Sequence, residues 1–211
     1  MARSHREIAA ALLDAHGTTY AAQAGIDLAD KPSPLYRLLV LATLLSTRIG
    51  ADIAVAAARE LSAAGFRTPQ RMVDSTWQER VDALGRGHYR RYDESTATRL
   101  GDGARLLLDT YRGDLRRLRD AAEDPEDVRE RLQDFPGIGP TGAAIFVREV
   151  QSIWPGVAPF VDRKALDGAR RLGLPRDPEE LDGLVDPADR ARLAAALVRA
   201  ELGGLDRTDL S

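Results

Sequence analysis

The side chains able to do chemistry in this chain are few. There is no cysteine, which excludes disulfides, thiolate metal sites and iron–sulfur clusters. The three histidines, His5, His16 and His88, lie far apart, so no histidine-rich metal site is expected. Of the 30 basic residues only Lys31 and Lys164 are lysines, which leaves amine nucleophiles with almost no candidates. What remains is one compact motif and one acid. Phe135 to Pro140 read FPGIGP between two helix-like stretches, and Asp162 opens DRKALDGARRLGL.

In FPGIGP, Gly137 and Gly139 permit torsions closed to other residues and let an anion approach the peptide closely. Pro140 suits the first turn of a following helix, whose leading amides and positive dipole end would face that anion. Ile138, between the glycines, can plug the turn onto a core. Such a turn can clamp phosphate without reading bases, or it can be a plain helix–helix connection. Asp162 is, on its residues alone, a good N-cap for the helix after it. Arg86, Arg90 and Arg91 with Tyr89 and Tyr92 form the best basic and aromatic cluster, in GRGHYRRYD. It could touch phosphate and stack on bases, or be a solvated loop with one tyrosine packed inward.

These residues must be positioned by helices, because 3.6-residue periodicity dominates and no alternating strand is evident. An amphipathic helix spans 4–15, and 18–31 is irregular or weakly helical. Ser33 and Pro34 open an almost wholly apolar helix that should be the buried centre. Helices follow at 52–64, from Thr68-Pro69, at 75–84 and at 95–112. A connector with a helical turn covers 113–121, and Asp124-Pro125 starts the helix that enters the hairpin. Beyond it lie helices at 141–151, 162–172, 178–184 and 187–203, then a tail expected to fray. The chain has 211 residues, 44% hydrophobic and 30% charged, with net charge −3. That composition is that of a globular protein, and any affinity for nucleic acid must come from local patches. The longest strongly apolar run, Leu38 to Leu45, is too short for a membrane span, and the N-terminus does not read as a signal peptide. The cytoplasm is the expected compartment.

From about Pro34 to Leu202 the chain resembles the helix-hairpin-helix DNA glycosylases, most closely the endonuclease III branch. FPGIGP is similar to that family's LPGVG signature. PFVDRKALDGARRLGL resembles the segment that carries its essential aspartate, which falls on Asp162. LLVLATLLSTRIGAD resembles the buried helix and turn of the family. The resemblance implies an all-α, two-lobed fold with a cleft. One lobe would comprise residues 33–140, ending in the hairpin. The other would combine 1–32 with 141–211.

The implied activity is excision of a damaged or mispaired base flipped out of double-stranded DNA, by a monomer with no cofactor and no metal. Asp162 would stabilise the sugar cation and orient water. Bifunctional members carry a lysine where this chain has Thr141, so the resemblance points to hydrolysis without lyase chemistry. Lys164 should face away from Asp162, about 200° around the helix. Arg48 stands where a wedge glutamine is usual. The DNA-binding set is Phe135, Gly137, Ile138, Gly139, Thr141, Arg48, Tyr89, Arg90, Arg91 and Arg163. The alternatives are a DNA-binding protein that has kept the frame without the chemistry, a lyase with an unfamiliar amine, and a helical interaction domain.

Overall fold

The computed structural model describes residues 3–210. Every regular element among them is helical. Helix α1 (His5–His16) starts with a reciprocal cap: the Ser4 hydroxyl accepts the Glu7 amide, and the Glu7 carboxylate accepts the Ser4 amide at 2.6 Å. Two otherwise orphaned donors are thereby satisfied.

By contact the chain divides into two compact units, Ala21–Phe146 and a discontinuous one of Met1–Tyr20 with Val147–Ser211. Residues 21–32 and 141–146, assigned from sequence to the discontinuous lobe, go with the longer unit. Arg37 donates to the Gly25 carbonyl at 2.9 Å, and Arg119 pairs with Asp30 at 3.0 Å.

From α2 (Tyr20–Gln23), of which all but Tyr20 belongs to the longer unit, the chain enters α3 (Pro32–Leu45), whose residues from Leu38 to Leu44 are all buried. This is the central helix expected from its apolar run. It begins at Pro32, with Lys31 in the cap position. Ser33 therefore sits inside the first turn and donates its hydroxyl to the Arg67 carbonyl at 2.9 Å. Helices α4 (Ala51–Ala63), α5 (Pro69–Asp74), α6 (Trp77–Arg86) and α7 (Asp93–Tyr111) follow it in the chain. α3 packs on α4, α4 on α6, and both α5 and α6 on α7. Arg80 of α6 ties three of them, donating to the Ala97, Ser75 and Met72 carbonyls at 2.9, 2.8 and 3.1 Å. The stretch read as a connector forms α8 (Leu115–Ala121), capped by Asp114. α9 (Pro125–Gln133) is capped by Asp124 and runs into the hairpin. α10 (Pro140–Val150) leaves it, and the division between the units falls within this helix.

The discontinuous unit holds α1, α11 (Arg163–Arg171), α12 (Pro178–Asp182) and α13 (Arg190–Gly203). α13 packs against both α1 and α11. A Cβ on Gly168 of α11 would fall 2.0 Å from the Leu197 carbonyl oxygen, so only glycine permits this approach. Up to Leu210 the tail packs against α1. Its 3-10 turn (Arg207–Leu210) buries Leu210, whose carbonyl accepts a hydrogen bond from Arg3. No helix among the described residues is long and apolar enough to cross a membrane.

Candidate nucleic-acid interface and catalytic acid

The hairpin between α9 and α10 is anchored from within. Phe135 is 2% exposed and stacks on Tyr111 of α7, with ring centroids 6.4 Å apart; Ile138 is 4% exposed. Both were expected among the DNA contacts. Their side chains are buried and hold the turn down, so they shape a surface rather than touch what lies on it. Gly137 has φ of +89°, and a Cβ there would press on Arg99 at 3.0 Å and Thr43 at 3.2 Å. Its torsion demands glycine. Gly139 differs from the sequence expectation: its φ is not left-handed, and a Cβ would meet nothing within 4 Å. Nothing inside the protein requires glycine at that point. The first bond of α10 runs from the Ala143 amide to the Gly139 carbonyl at 3.0 Å. The Thr141 and Gly142 amides therefore have no helical acceptor, and the Thr141 side chain is exposed beside them. Open backbone, free amides and a dipole's positive end suit an approaching anion.

Two hydroxyls at the end of α3 fasten this turn and its neighbours. Ser46 Oγ lies 3.0 Å from the Gly137 carbonyl and 2.8 Å from the Thr43 carbonyl. Thr47 Oγ1 lies 2.9 Å from the Tyr89 hydroxyl, which also receives Thr96 Oγ1 at 3.5 Å. Tyr89 is fully buried, which corrects its assignment to DNA contact: its ring cannot stack on an exposed base. It fixes the loop that presents the exposed Arg90 and Arg91. Gly87 seats the same loop on α4, where a Cβ would lie 2.4 Å from Ala57 Cα. Arg91 lies over the Tyr92 ring at 5.2 Å, and Arg86 is paired with Glu60 at 3.0 Å. Arg48 is exposed in the turn after α3. The hairpin, the Arg48 turn and the Arg90–Arg91 loop are thus all tied to Ser46 and Thr47.

In the other unit, Asp162 caps α11 and does more. Its Oδ1 accepts the Ala165 amide at 2.9 Å, and its Oδ2 accepts a hydrogen bond from Arg148 of α10. The side chains are 14% and 4% exposed, respectively. The Arg148 guanidinium lies 5.7 Å from the centre of the Tyr20 ring, and Arg199 lies 4.6 Å from it. Arg148 Nε is buried without an acceptor among the described residues. The loop before Asp162 is clamped by Gln151, whose side chain accepts the Phe160 amide at 2.9 Å and donates to the Phe160 carbonyl at 3.0 Å. Arg148 and Gln151 were not singled out from sequence. The signal was there: RE interrupts the otherwise apolar AAIFVREV, and charged residues inside such a run are buried only with partners.

Arg163 and Lys164 are exposed on the first turn of α11. Further along, Arg170 is paired with Asp167 at 3.5 Å and Arg171 with Glu201 at 2.7 Å. The basic segment beside Asp162 is therefore partly neutralised.

No family model and no curated protein matches the sequence. Solved structures do. The H. pylori 3-methyladenine DNA glycosylase bound to 1,N6-ethenoadenine is similar over 97% of this chain and 100% of that one, at 16% identity and TM-score 0.58. A thermostable thymine-DNA glycosylase is similar over 90% and 86%, at 14% identity and TM-score 0.54. A non-covalent endonuclease III–DNA complex is similar over 81% and 73%, at 18% identity and TM-score 0.51. The chain has the all-helical fold of the helix-hairpin-helix DNA glycosylases.

Proposed function

We propose that the chain is a monofunctional DNA-repair glycosylase acting on a damaged or mispaired base flipped out of duplex DNA. The observation that carries this reading is the Asp162 carboxylate, held at the start of α11 in a chain with a DNA glycosylase fold. Each of its oxygens accepts one hydrogen bond and keeps lone-pair capacity for another. In the proposed reaction the C1′–N bond breaks and its electron pair leaves with the base. The cationic sugar is stabilised by the carboxylate. Water, oriented by the same group, forms the new C1′–O bond, and its proton passes to Asp162 or to solvent. Thr141 offers no amine for a Schiff base. The hairpin amides, with Gly139 open to close approach, would clamp a phosphate. Arg90, Arg91 and Arg163 would contact the backbone, and Arg48 would fill the vacated stack.

One observation favours a second reading, DNA binding without chemistry: both Asp162 oxygens are already engaged, as in a purely structural cap and ion pair. A panel of duplexes with single damaged or mispaired bases separates the two, with free base and strand scission assayed independently. The proposal expects base release that leaves intact abasic strands, cleaved only on alkali or heating. Duplex binding with no base released from any substrate supports the second reading.

A further inference from the structure

We infer that Arg148 is a positioning residue for base excision, acting through Asp162. The inference rests on the glycosylase reading above.

A buried arginine is retained when its charge is compensated, and the 4% exposed Arg148 meets that condition through Asp162. The rest of its surroundings satisfy it poorly. Its Nε lacks an acceptor among the described residues, and a second cation, Arg199, lies over the same Tyr20 ring. An apolar residue at this place on α10 would fit the neighbouring AAIFV pattern. The arginine is therefore placed for the carboxylate rather than for the packing of its own helix.

The consequence for Asp162 is orientation. As a cap alone, its carboxylate would be held at Oδ1 and free to swing about that bond. Arg148 holds Oδ2 as well, so the plane of the carboxylate is fixed from two sides. Gln151 fixes the chain two residues earlier through both polar groups of Phe160. With two oxygens so held, Asp162 is arranged to stabilise charge and orient water. Arg148 is buried and bonds to Asp162, so its effect is on the rate of the step and not on DNA affinity.

The experiment is single-turnover base release by the full chain, from whichever duplex of the panel it processes, with duplex affinity measured alongside. Arg148→Lys keeps the charge, loses the planar fork and should slow release about 10-fold. Arg148→Leu should slow it about 100-fold. Duplex affinity should stay within about 2-fold in both, and circular dichroism confirms folding. Because the two residues act as one unit, adding Arg148→Leu to Asp162→Asn should cost nothing further. Near wild-type release by folded Arg148→Leu overturns the inference, as do rate losses that multiply in the double variant. If Asp162→Asn itself releases base normally, the glycosylase reading of Asp162 has failed, and the role of Arg148 falls with it. If Arg148→Leu will not fold, Arg148→Lys decides: unchanged release contradicts the positioning role, and slowed release at constant affinity supports it.

Discussion

The hairpin and the Asp162 segment are built on opposite principles. At the hairpin the outward features are backbone, and the side chains point in: Phe135 and Ile138 are buried, while Gly139 and the start of α10 face outward. At Asp162 the outward group is a side chain, and its placement depends on other side chains, Arg148 and Gln151. A backbone device is encoded in the few residues that form it. A side-chain device is encoded wherever its partners happen to lie, here on a helix 14 positions upstream. The first suits a sequence-blind grip, the second a chemical step that needs one atom in one place.

Substitutions can separate these two designs. The largest effect is expected at Gly168, which permits the close packing of α11, the helix capped by Asp162, on α13. Gly168→Ala should cost about 3 kcal/mol or more, since the new methyl meets backbone that cannot step aside; denaturant unfolding measures it. The two hairpin glycines should then part company. Gly137→Ala forces a left-handed torsion and should cost about 1–3 kcal/mol. Gly139→Ala should leave stability within about 0.5 kcal/mol of wild type yet weaken duplex binding. Equal behaviour of the two would mean that the open face of Gly139 has no part in binding.

Tyr89→Phe removes only the hydroxyl that meets Thr47. It should cost about 1 kcal/mol and weaken duplex binding through the loop that carries Arg90 and Arg91. If Tyr89 stacked on a base, the phenylalanine would bind as well as wild type. The smallest effect is that of the capping boxes. Hydrogen bonds from Ser4 hold the Glu7 carboxyl below its ordinary value of 4.5, and Thr76 does the same for Glu79. Since the folded-state values are depressed, this stabilisation is complete above the ordinary value and is lost as pH falls through the lowered ones. Glu7→Gln and Glu79→Gln should lower the melting temperature slightly at pH 7, and the difference from wild type should vanish in strong acid.

What was legible in the sequence follows the same division. Helices with local signals were readable: α5 from Thr68-Pro69, α9 from Asp124-Pro125 and α11 from Asp162 begin where their caps and prolines announce them. The apolar run of α3 disclosed its central burial. The start of α3 was misplaced because Ser33 resembles a cap, whereas its hydroxyl bonds to Arg67, 34 residues away. Tyr89 was ambiguous for a similar reason, since an exposed and a buried tyrosine look alike until Thr47 is found beside its hydroxyl. Arg148 was overlooked because helical periodicity scores it as an interruption of an apolar face, and its partner lies beyond the next loop. The tail was read as frayed because no local pattern reveals that Leu210 has a place to be buried against α1.

The measurement that bears most directly on this account is single-turnover base release by wild type and by Asp162→Asn, on the same damaged duplex and with binding measured in parallel. Asparagine can still cap α11 but cannot stabilise a sugar cation by charge. Wild type should free the base without cutting the strand. Asp162→Asn should bind the duplex as tightly or more so, with release slowed by about 100-fold or more. Release by folded Asp162→Asn within a few-fold of wild type would contradict the account and leave Asp162 and Arg148 as a structural pair.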